Sequence, residues 1–185
     1  PEVDQVESPL PVIVVMGVSG CGKTAVGKAL AERIGCSFLE GDEYHPSANI
    51  SKMSSGMPLN DGDRVEWMQR IRNAINDARE KVIISCSALK KEHRDFLRDS
   101  GRFVLFLHLE GERGLIEERI GKREGHFFDP NLLDSQIEAL ENPAEEENVI
   151  TLKINDTVEN IVASTLVDLR EKGLLPPKPP NRSTP

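Results

Sequence analysis

The sequence contains few cysteines and no long apolar run, and each shortage argues against a class of protein. Its 185 residues include 3 Cys, an odd number with no Cys-x-x-Cys pair. This usage argues against a disulfide framework and against a zinc site, and it fits a reducing compartment. No apolar run approaches the roughly 20 residues that a membrane-spanning helix needs. We therefore expect a cytoplasmic protein.

Positive charge is also in short supply, which bears on the partners of the protein. The chain has 23 Lys and Arg against 31 Asp and Glu, a formal net charge of -8. Nucleic acids and anionic membranes repel such a chain, and no basic stripe compensates, so we expect neither as a partner. Any cation that recognises an acidic ligand must therefore be supplied locally.

Short β-branched runs alternate with helical patterns along the chain. The predicted strands are VIVVM (12–16), CSFLE (36–40), VIIS (82–85), FVLFLHL (103–109) and NVITLKI (148–154). Apolar residues recur at helical spacing over 23–34, 65–78, 112–122, 131–141 and 157–172. This alternation predicts an α/β protein with three layers, a mostly parallel five-stranded sheet with helices on both faces. We assign 11–173 to this domain, and 1–10 and the Pro-rich 174–185 to flexible tails.

A glycine-rich loop follows the first predicted strand. The stretch GVSGCGKT matches G-x-x-x-x-G-K-[ST], and it lies between a predicted strand and a predicted helix, the context that this motif requires. Its backbone N–H groups and the helix N-terminus suit a phosphate group. The side chain of Lys23 is expected to reach the β- and γ-phosphates, and the Thr24 hydroxyl to ligate Mg²⁺. The predicted nucleotide contacts are Gly17, Val18, Ser19, Gly20, Cys21, Gly22, Lys23 and Thr24.

An acidic pair distinguishes this chain from P-loop switches and motors. Those proteins usually place an Asp after a later strand, but here the later strands end in SCSALK and HLEGER, and no Asn-Lys-x-Asp is present. Instead, Glu40 and Asp42 follow the second strand at i, i+2 spacing, which puts both carboxylates on one side of an extended segment. One can polarise a substrate hydroxyl while the other holds a water of the Mg²⁺ shell. A solvated acidic turn is the alternative explanation, but the position beside the P-loop strand favours function.

Further motifs carry a family resemblance. The stretches HPSANISKM, PLNDGDR, CSALKK and GHF occur in this order after the P-loop. Together they resemble gluconate kinases (gluconokinases), within the wider group of shikimate-kinase-like P-loop kinases, over residues 12 to about 141. The chain departs from the family pattern twice. It has Glu40 where Asp is usual, and Val-Glu-Trp where Pro-Trp usually follows the Asp-Arg pair. Neither departure removes a charge.

The resemblance implies gluconate as the acceptor, a polyol with one carboxylate. Its site needs many hydrogen-bonding groups and at least one cation, since a buried carboxylate without a partner is costly. We favour Arg64 and Arg94 for the carboxylate, because Arg grips a carboxylate through two parallel bonds. Lys90 comes next, and a surface cation on a helix is the alternative for each. The predicted substrate contacts are His45, Asn49, Asp63, Arg64, Ser87, Lys90, Arg94, His126 and Gln136.

The segment RIGKREGHFFDP is interpreted as a mobile lid at about 122–131. Arg119 and Arg123 lie four residues apart and share one helical face. In resembling kinases, such arginines close over ATP and neutralise charge on the transferred phosphoryl group. We assign Arg123 to that role and Arg119 to the nucleotide side, while His126 and Gln136 contact the substrate or the lid.

The expected mechanism combines these assignments. ATP and Mg²⁺ bind the P-loop, and gluconate binds between residues 42–64 and 87–94. Asp42 orients or deprotonates the terminal hydroxyl for in-line attack on the γ-phosphate, and Lys23, Mg²⁺ and Arg123 stabilise the charge. Glu40 holds the metal through water. The product implied by the resemblance is 6-phosphogluconate, which enters the pentose phosphate pathway.

Two other functions stay open at this point. One is a kinase of the same fold for another small acceptor, shikimate or a nucleoside monophosphate. The other is a regulatory protein that binds ATP without turnover, although such a binder needs neither the paired Asp42 nor the lid arginines. Resembling kinases are often homodimers, so a homodimer is one expected assembly.

Overall fold

The computed structural model describes residues 11–122 and 130–180, and its centre is a five-stranded sheet. The strands are β1 Val12–Met16, β2 Ser37–Glu40, β3 Val82–Ser85, β4 Val104–Glu110 and β5 Val149–Lys153. They lie in the order β2-β3-β1-β4-β5, and every pair of neighbours in the described residues is parallel. The α/β prediction with five strands is confirmed, and the sheet is wholly parallel in this part of the chain.

Helices connect the strands. They are α1 Lys23–Ile34, α2 Ser47–Ser54, α3 Asp61–Asp77, α4 Lys91–Arg98, α5 Arg113–Gly121, α6 Pro130–Ala139 and α7 Val158–Glu171. A short 3-10 turn, Gly41–Tyr44, follows β2. Helix α2 had no counterpart in the sequence prediction, because its buried position is occupied by the polar Asn49 and it has no apolar stripe. In the described part of the chain, no helix combines the length and the apolar character that crossing a membrane requires.

The central strand β1 separates two halves of the core. Its side chains alternate between the two faces of the sheet, as the pleat of a strand dictates. Ile13 and Val15 pack with residues of α1 and α7, whereas Val12, Val14 and Met16 pack with residues of α3 and α4. All five side chains are buried. Helices therefore cover both faces, which gives the three layers that the sequence predicts.

The end of α7 extends the packed region slightly beyond the predicted domain. The backbone N–H of Leu174 donates to the carbonyl of Leu169 at 2.9 Å. Leu174 and Leu175, which the sequence prediction places in the tail, pack against the core on the α1 and α7 side. The other predicted limits, 1–10 for the first tail and 122–131 for the lid, fall mainly outside the described residues.

Candidate active site

The glycine-rich loop connects β1 to α1 at the carboxyl edge of the sheet. Gly22 precedes α1 with φ of 98°, a left-handed conformation that a residue with a side chain rarely adopts. The Lys23 ammonium donates to the carbonyls of Gly17 and Val18, both at 3.0 Å. A positive charge therefore lies beside the N-terminus of a helix, and both features attract an anion.

The first carboxylate of the acidic pair is held by two hydroxyls. Thr24 Oγ1 donates to Glu40 Oε2 at 2.5 Å, and Ser85 Oγ donates to Glu40 Oε1 at 2.6 Å. Gly41 donates its N–H to Ser85 Oγ at 3.1 Å, and a Cβ at Gly41 would collide with the Ser85 carbonyl. Only a glycine therefore allows β2 and β3 to approach so closely here. A hydroxyl beside a carboxylate is an oxygen donor set that suits Mg²⁺.

The second carboxylate lies in the turn after β2 and faces open space. The Asp42 side chain is 74 % exposed and lines a cavity, so a substrate can reach it. Despite this exposure, the surrounding protein raises the pKa of Asp42 by desolvation, the Lys23 ammonium lowers it, and the Glu40 carboxylate raises it further. A carboxylate with a raised pKa is a stronger base than an ordinary Asp, which suits proton acceptance.

A cavity of about 300 Å³, here called the central cavity, brings most of the predicted polar residues together. Its polar lining includes Ser19 of the P-loop and Lys23, Asp42, His45, Arg64, Ser87 and Gln136. Its apolar lining includes Ile50, Met53, Leu59, Trp67, Leu89 and Leu132. Apolar walls with a few convergent polar groups are typical of small-molecule sites.

Arg64 is a largely buried cation in the wall of this cavity. Its side chain is only 11 % exposed, and its Nη1 lies 3.7 Å from Asp61 Oδ1, too far for a hydrogen bond. Desolvation lowers the pKa of the guanidinium, while Asp61 and Asp63 oppose that effect. Arginine stays charged in proteins, and no hydrogen bond within the described residues fills its donors. A carboxylate in the central cavity would supply the acceptors that it lacks.

Arg94, by contrast, does not reach the cavity. It is fully buried, and its guanidinium bonds to the Glu146 carboxylate at 2.6 and 2.9 Å. Its remaining donors reach the carbonyls of Ala88, Leu89 and Glu141. With these partners the guanidinium has no donor left for a substrate. The prediction that Arg94 contacts gluconate is therefore not supported, and this arginine ties the loop after β3 to the segment after α6.

This buried ion pair leads to a stability prediction. Replacing Glu146 by Ala leaves the Arg94 charge buried without its partner, which should lower the free energy of unfolding by about 3–5 kcal/mol. The pKa of Glu146 is lowered, mainly by its hydrogen bond to Arg94, from an ordinary value of 4.5. Its stabilisation is therefore present above pH 4.5 and is lost as the pH falls through the lowered folded value.

Denaturant unfolding of the Glu146→Ala variant, measured from neutral pH downward, checks this. The exposed neighbour Glu145 provides the matched control, and Glu145→Ala should change stability by no more than about 0.5 kcal/mol. Equal stability of the two variants at neutral pH would show that the pair does not stabilise the fold.

Three further predicted substrate contacts, Lys90, Asp63 and Asn49, bond to groups of α2 and α3 and do not line the cavity. Lys90 bonds to Asp61 Oδ1 at 2.6 Å, and Lys52 bonds to Asp63 Oδ2 at 2.5 Å. Asp63 also belongs to the capping box that begins α3. The Asn49 amide donates to the Asp63 carbonyl at 2.8 Å. The structure therefore gives Lys90, Asp63 and Asn49 protein partners, and none of the three lines the central cavity.

Two further predicted contacts, Arg119 and Gln136, hydrogen-bond to backbone groups. Arg119 Nη2 donates to the Ile154 carbonyl at 2.5 Å, and Nη1 lies 4.0 Å from where a Cβ at Gly22 would be. The guanidinium thus lies between the P-loop and the loop after β5. Gln136 Oε1, from α6, accepts the Ser19 N–H at 2.7 Å. Arg123 and His126, the other predicted lid residues, lie outside the described residues.

Trp67 is a cavity residue to which the sequence reasoning assigned no role. Its ring stacks on His45 with centroids 4.0 Å apart and an interplanar angle of 15°. Its Nε1–H donates to the Gly41 carbonyl at 2.9 Å, which links α3 to the turn that carries Asp42. The sequence did offer one signal for a role of Trp67 in the site, because it is the only Trp of the chain and lies three residues after Arg64. Leu132 and Ser135 of α6 also line the cavity, and no motif marked them.

The fold and the site define a P-loop phosphotransferase that acts on a small acceptor. The family model described as shikimate kinase matches residues 19–167. More specifically, the chain belongs to the gluconokinase family. It is 42 % identical to the thermoresistant gluconokinase of Escherichia coli K12, over 88 % of this chain and 94 % of that relative.

Solved structures agree with this membership. A gluconokinase from Sinorhizobium meliloti 1021 superposes with a TM-score of 0.82 at 42 % identity, covering 89 % of this chain and 94 % of that one. The shikimate kinase from Aquifex aeolicus superposes with a TM-score of 0.57 at 16 % identity, covering 88 % of this chain and 98 % of that one. The second likeness supports the fold alone.

Proposed function

We propose that the protein transfers the γ-phosphoryl group of ATP to the terminal hydroxyl of D-gluconate, giving 6-phospho-D-gluconate for the pentose phosphate pathway. One observation carries the choice of acceptor. Arg64 lines the central cavity as a largely buried cation whose donors no described protein group fills. A sugar acid combines a carboxylate for Arg64 with hydroxyls for the other polar groups. The gluconokinase relatives support the same acceptor.

The reaction requires a base, a route for attack and charge stabilisation. Asp42 accepts the proton of the terminal hydroxyl as its oxygen attacks phosphorus and the bond to the β–γ bridging oxygen breaks. Lys23 offsets the negative charge on the phosphates. Phosphoryl transfer depends mainly on positioning and electrostatics, and these two groups, which both line the central cavity, contribute to both.

The remaining contacts of the P-loop indicate which residues bind the nucleotide. The backbone of residues 17–24 binds the phosphates of ATP, and Arg119, between the P-loop and the loop after β5, contacts the nucleotide. Thr24 would hold Mg²⁺ through its hydroxyl and Glu40 would hold it through a water, since the oxygens of these two side chains lie 2.5 Å apart. When bound, the ion would supply positive charge against the phosphates of ATP. The lid role of Arg123 and the homodimer stay predictions from the sequence.

Removing the cavity cation should weaken acceptor binding selectively. Arg64→Ala is expected to raise KM for gluconate roughly ten- to a hundredfold, the effect of losing one charge-assisted hydrogen bond. KM for ATP should change little, because Arg64 lies on the acceptor side of the cavity. Steady-state kinetics with each substrate varied in turn measure both values.

A matched control is Arg70→Ala, six residues further along α3. Arg70 is exposed and, in the part of the chain that the structure describes, bonds only to Glu66 on the same helix, so this variant should keep both KM values. If Arg64→Ala binds gluconate as the parent does in calorimetry, the carboxylate of the acceptor lies elsewhere.

Product analysis tests the proposed reaction itself. Phosphorus and carbon NMR of a completed reaction should show a single phosphate monoester on C6 of gluconate. An ester at another carbon would contradict the placement of the terminal hydroxyl at Asp42, and consumption of ATP without an ester would contradict transfer to gluconate.

A further inference from the structure

His45 is held on three sides at the wall of the central cavity. It is 7 % exposed, its ring stacks on Trp67, and its Nδ1 lies 3.3 Å from Asn49 Nδ2. Its own backbone N–H donates to the Asp42 carbonyl at 3.3 Å. The ring is therefore fixed in both position and orientation.

The orientation of the Asn49 amide determines which nitrogen of His45 carries the proton. Asn49 Nδ2 lies 2.8 Å from the Asp63 carbonyl, and a carbonyl can only accept a hydrogen bond. The atom at this position must therefore be the amide NH₂ and not the amide oxygen. Its second hydrogen points to His45 Nδ1, which must accept it through a lone pair. A neutral ring then carries its own hydrogen on Nε2.

The charges that face His45 favour this neutral form. Asp42 lies on the Nε2 side, with Oδ1 at 3.9 Å, and Arg64 faces the ring from α3. Burial lowers the pKa of His45, and Arg64 lowers it further, to about 4. The Asp42 carboxylate, 3.9 Å from Nε2, is too distant to outweigh these effects, so the ring is uncharged at physiological pH.

We propose that His45 is a neutral hydrogen-bond donor whose Nε2–H binds the same substrate hydroxyl that donates to Asp42, and that Asn49 is the positioning residue that fixes this tautomer. The identification of this hydroxyl as the terminal hydroxyl of gluconate rests on the proposed function. The 3.9 Å between Nε2 and Asp42 Oδ1 is too long for a direct hydrogen bond but allows one oxygen to lie within hydrogen-bond distance of both.

The arrangement suits the geometry of a hydroxyl oxygen. Such an oxygen has one carbon, one hydrogen and two lone pairs. Its hydrogen is donated to Asp42, one lone pair accepts from His45, and the second lone pair is left to attack the phosphorus. The proton that leaves the hydroxyl goes to Asp42. The neutral ring cannot take it, because its only lone pair is at Nδ1 and already accepts a hydrogen bond from Asn49. His45 therefore orients the nucleophile and does not act as its base.

The tautomer is measured directly on the free protein. Nitrogen-15 NMR of the imidazoles, with His45→Gln to assign the signals, should show His45 as the neutral Nε2–H form throughout pH 5.5–8. An Nδ1–H tautomer, or protonation of His45 within this range, overturns the proposal. The measurement needs no substrate, so its result is independent of the proposed function.

A second experiment reverses the tautomer. In Asn49→Asp, the new carboxylate can only accept, so the hydrogen moves to Nδ1 and the pKa of His45 rises. The neutral ring then has no Nε2–H, and kcat/KM for gluconate should fall roughly ten- to a hundredfold at pH 8. It should recover as the pH falls toward 6, because the doubly protonated ring regains Nε2–H. KM for ATP should stay unchanged.

The control places a carboxylate on the exposed side of the same helix. Ser51→Asp should match the wild type at both pH values, since Ser51 is exposed and does not touch His45. A flat pH response of folded Asn49→Asp, like that of the control, overturns the donor role of His45. If the wild type does not phosphorylate gluconate at all, the proposed function fails, while the NMR result still decides the tautomer.

Discussion

The Lys23→Ala variant should lose nearly all phosphoryl transfer while its fold persists. Among the described residues, the Lys23 ammonium donates hydrogen bonds only to the carbonyls of Gly17 and Val18, so its removal takes nothing from either half of the core. During transfer it is the P-loop cation nearest the moving charge. Losing one such preorganised group should lower kcat on the order of a hundred- to a thousandfold or more.

Circular dichroism and thermal unfolding establish that the variant is folded, and kcat is then measured with ATP and gluconate in excess. Lys28→Ala is the matched control, because Lys28 is an exposed cation on the same helix, α1. It should retain the kcat of the wild type. A Lys23→Ala variant with near-wild-type kcat would contradict the assignment of the P-loop to catalysis.

Asp42→Asn should lower kcat by roughly a hundred- to ten-thousandfold, the usual contribution of a positioned base, and should leave ATP binding nearly intact. Asn preserves the shape of the side chain but cannot accept the hydroxyl proton. Because the pKa of Asp42 is raised by desolvation, wild-type activity should fall on the acid side as the pH drops through a value above that of an ordinary Asp. This acid limb should be absent from the residual activity of Asp42→Asn.

The two carboxylates of the acidic pair are separated by their response to metal. Glu40 accepts from Thr24 and Ser85, so Glu40→Gln should mainly raise the Mg²⁺ concentration needed for half-maximal activity. Titrating kcat against Mg²⁺ for both variants, with the exposed Glu43→Gln as control, distinguishes the roles. Rescue of Asp42→Asn but not of Glu40→Gln by excess Mg²⁺ would show that the roles are reversed.

Local chemistry made much of the fold predictable. The strands 12–16 and 82–85 agree with the structure residue for residue, because uninterrupted β-branched runs are typical of strands buried on both faces. The turn Gly41–Tyr44 and helix α2 could not be predicted in the same way. They contribute almost no apolar side chains to the core, and what holds them is polar contact with β3 and α3.

The candidate site was predictable where a sequence motif has one usual function. The P-loop and the acidic pair are of this kind, because each directly follows a predicted strand in a recognisable sequence pattern. Arg94 was not, since a sequence does not say whether an arginine will meet a substrate carboxylate or the protein's own Glu146, 52 residues away. The pairing of Trp67 with His45 likewise depends on how α3 packs against the turn after β2.

Phosphorylation of gluconate by this P-loop enzyme can be decided in a single assay. Its most direct test is the rate of ADP release from ATP and Mg²⁺ with no acceptor, with gluconate, with shikimate and with a nucleoside monophosphate. We expect slow release of ADP that gluconate alone accelerates, with one phosphate ester formed for each ADP. Equal rates with and without gluconate, or faster release with shikimate or the monophosphate, would contradict it.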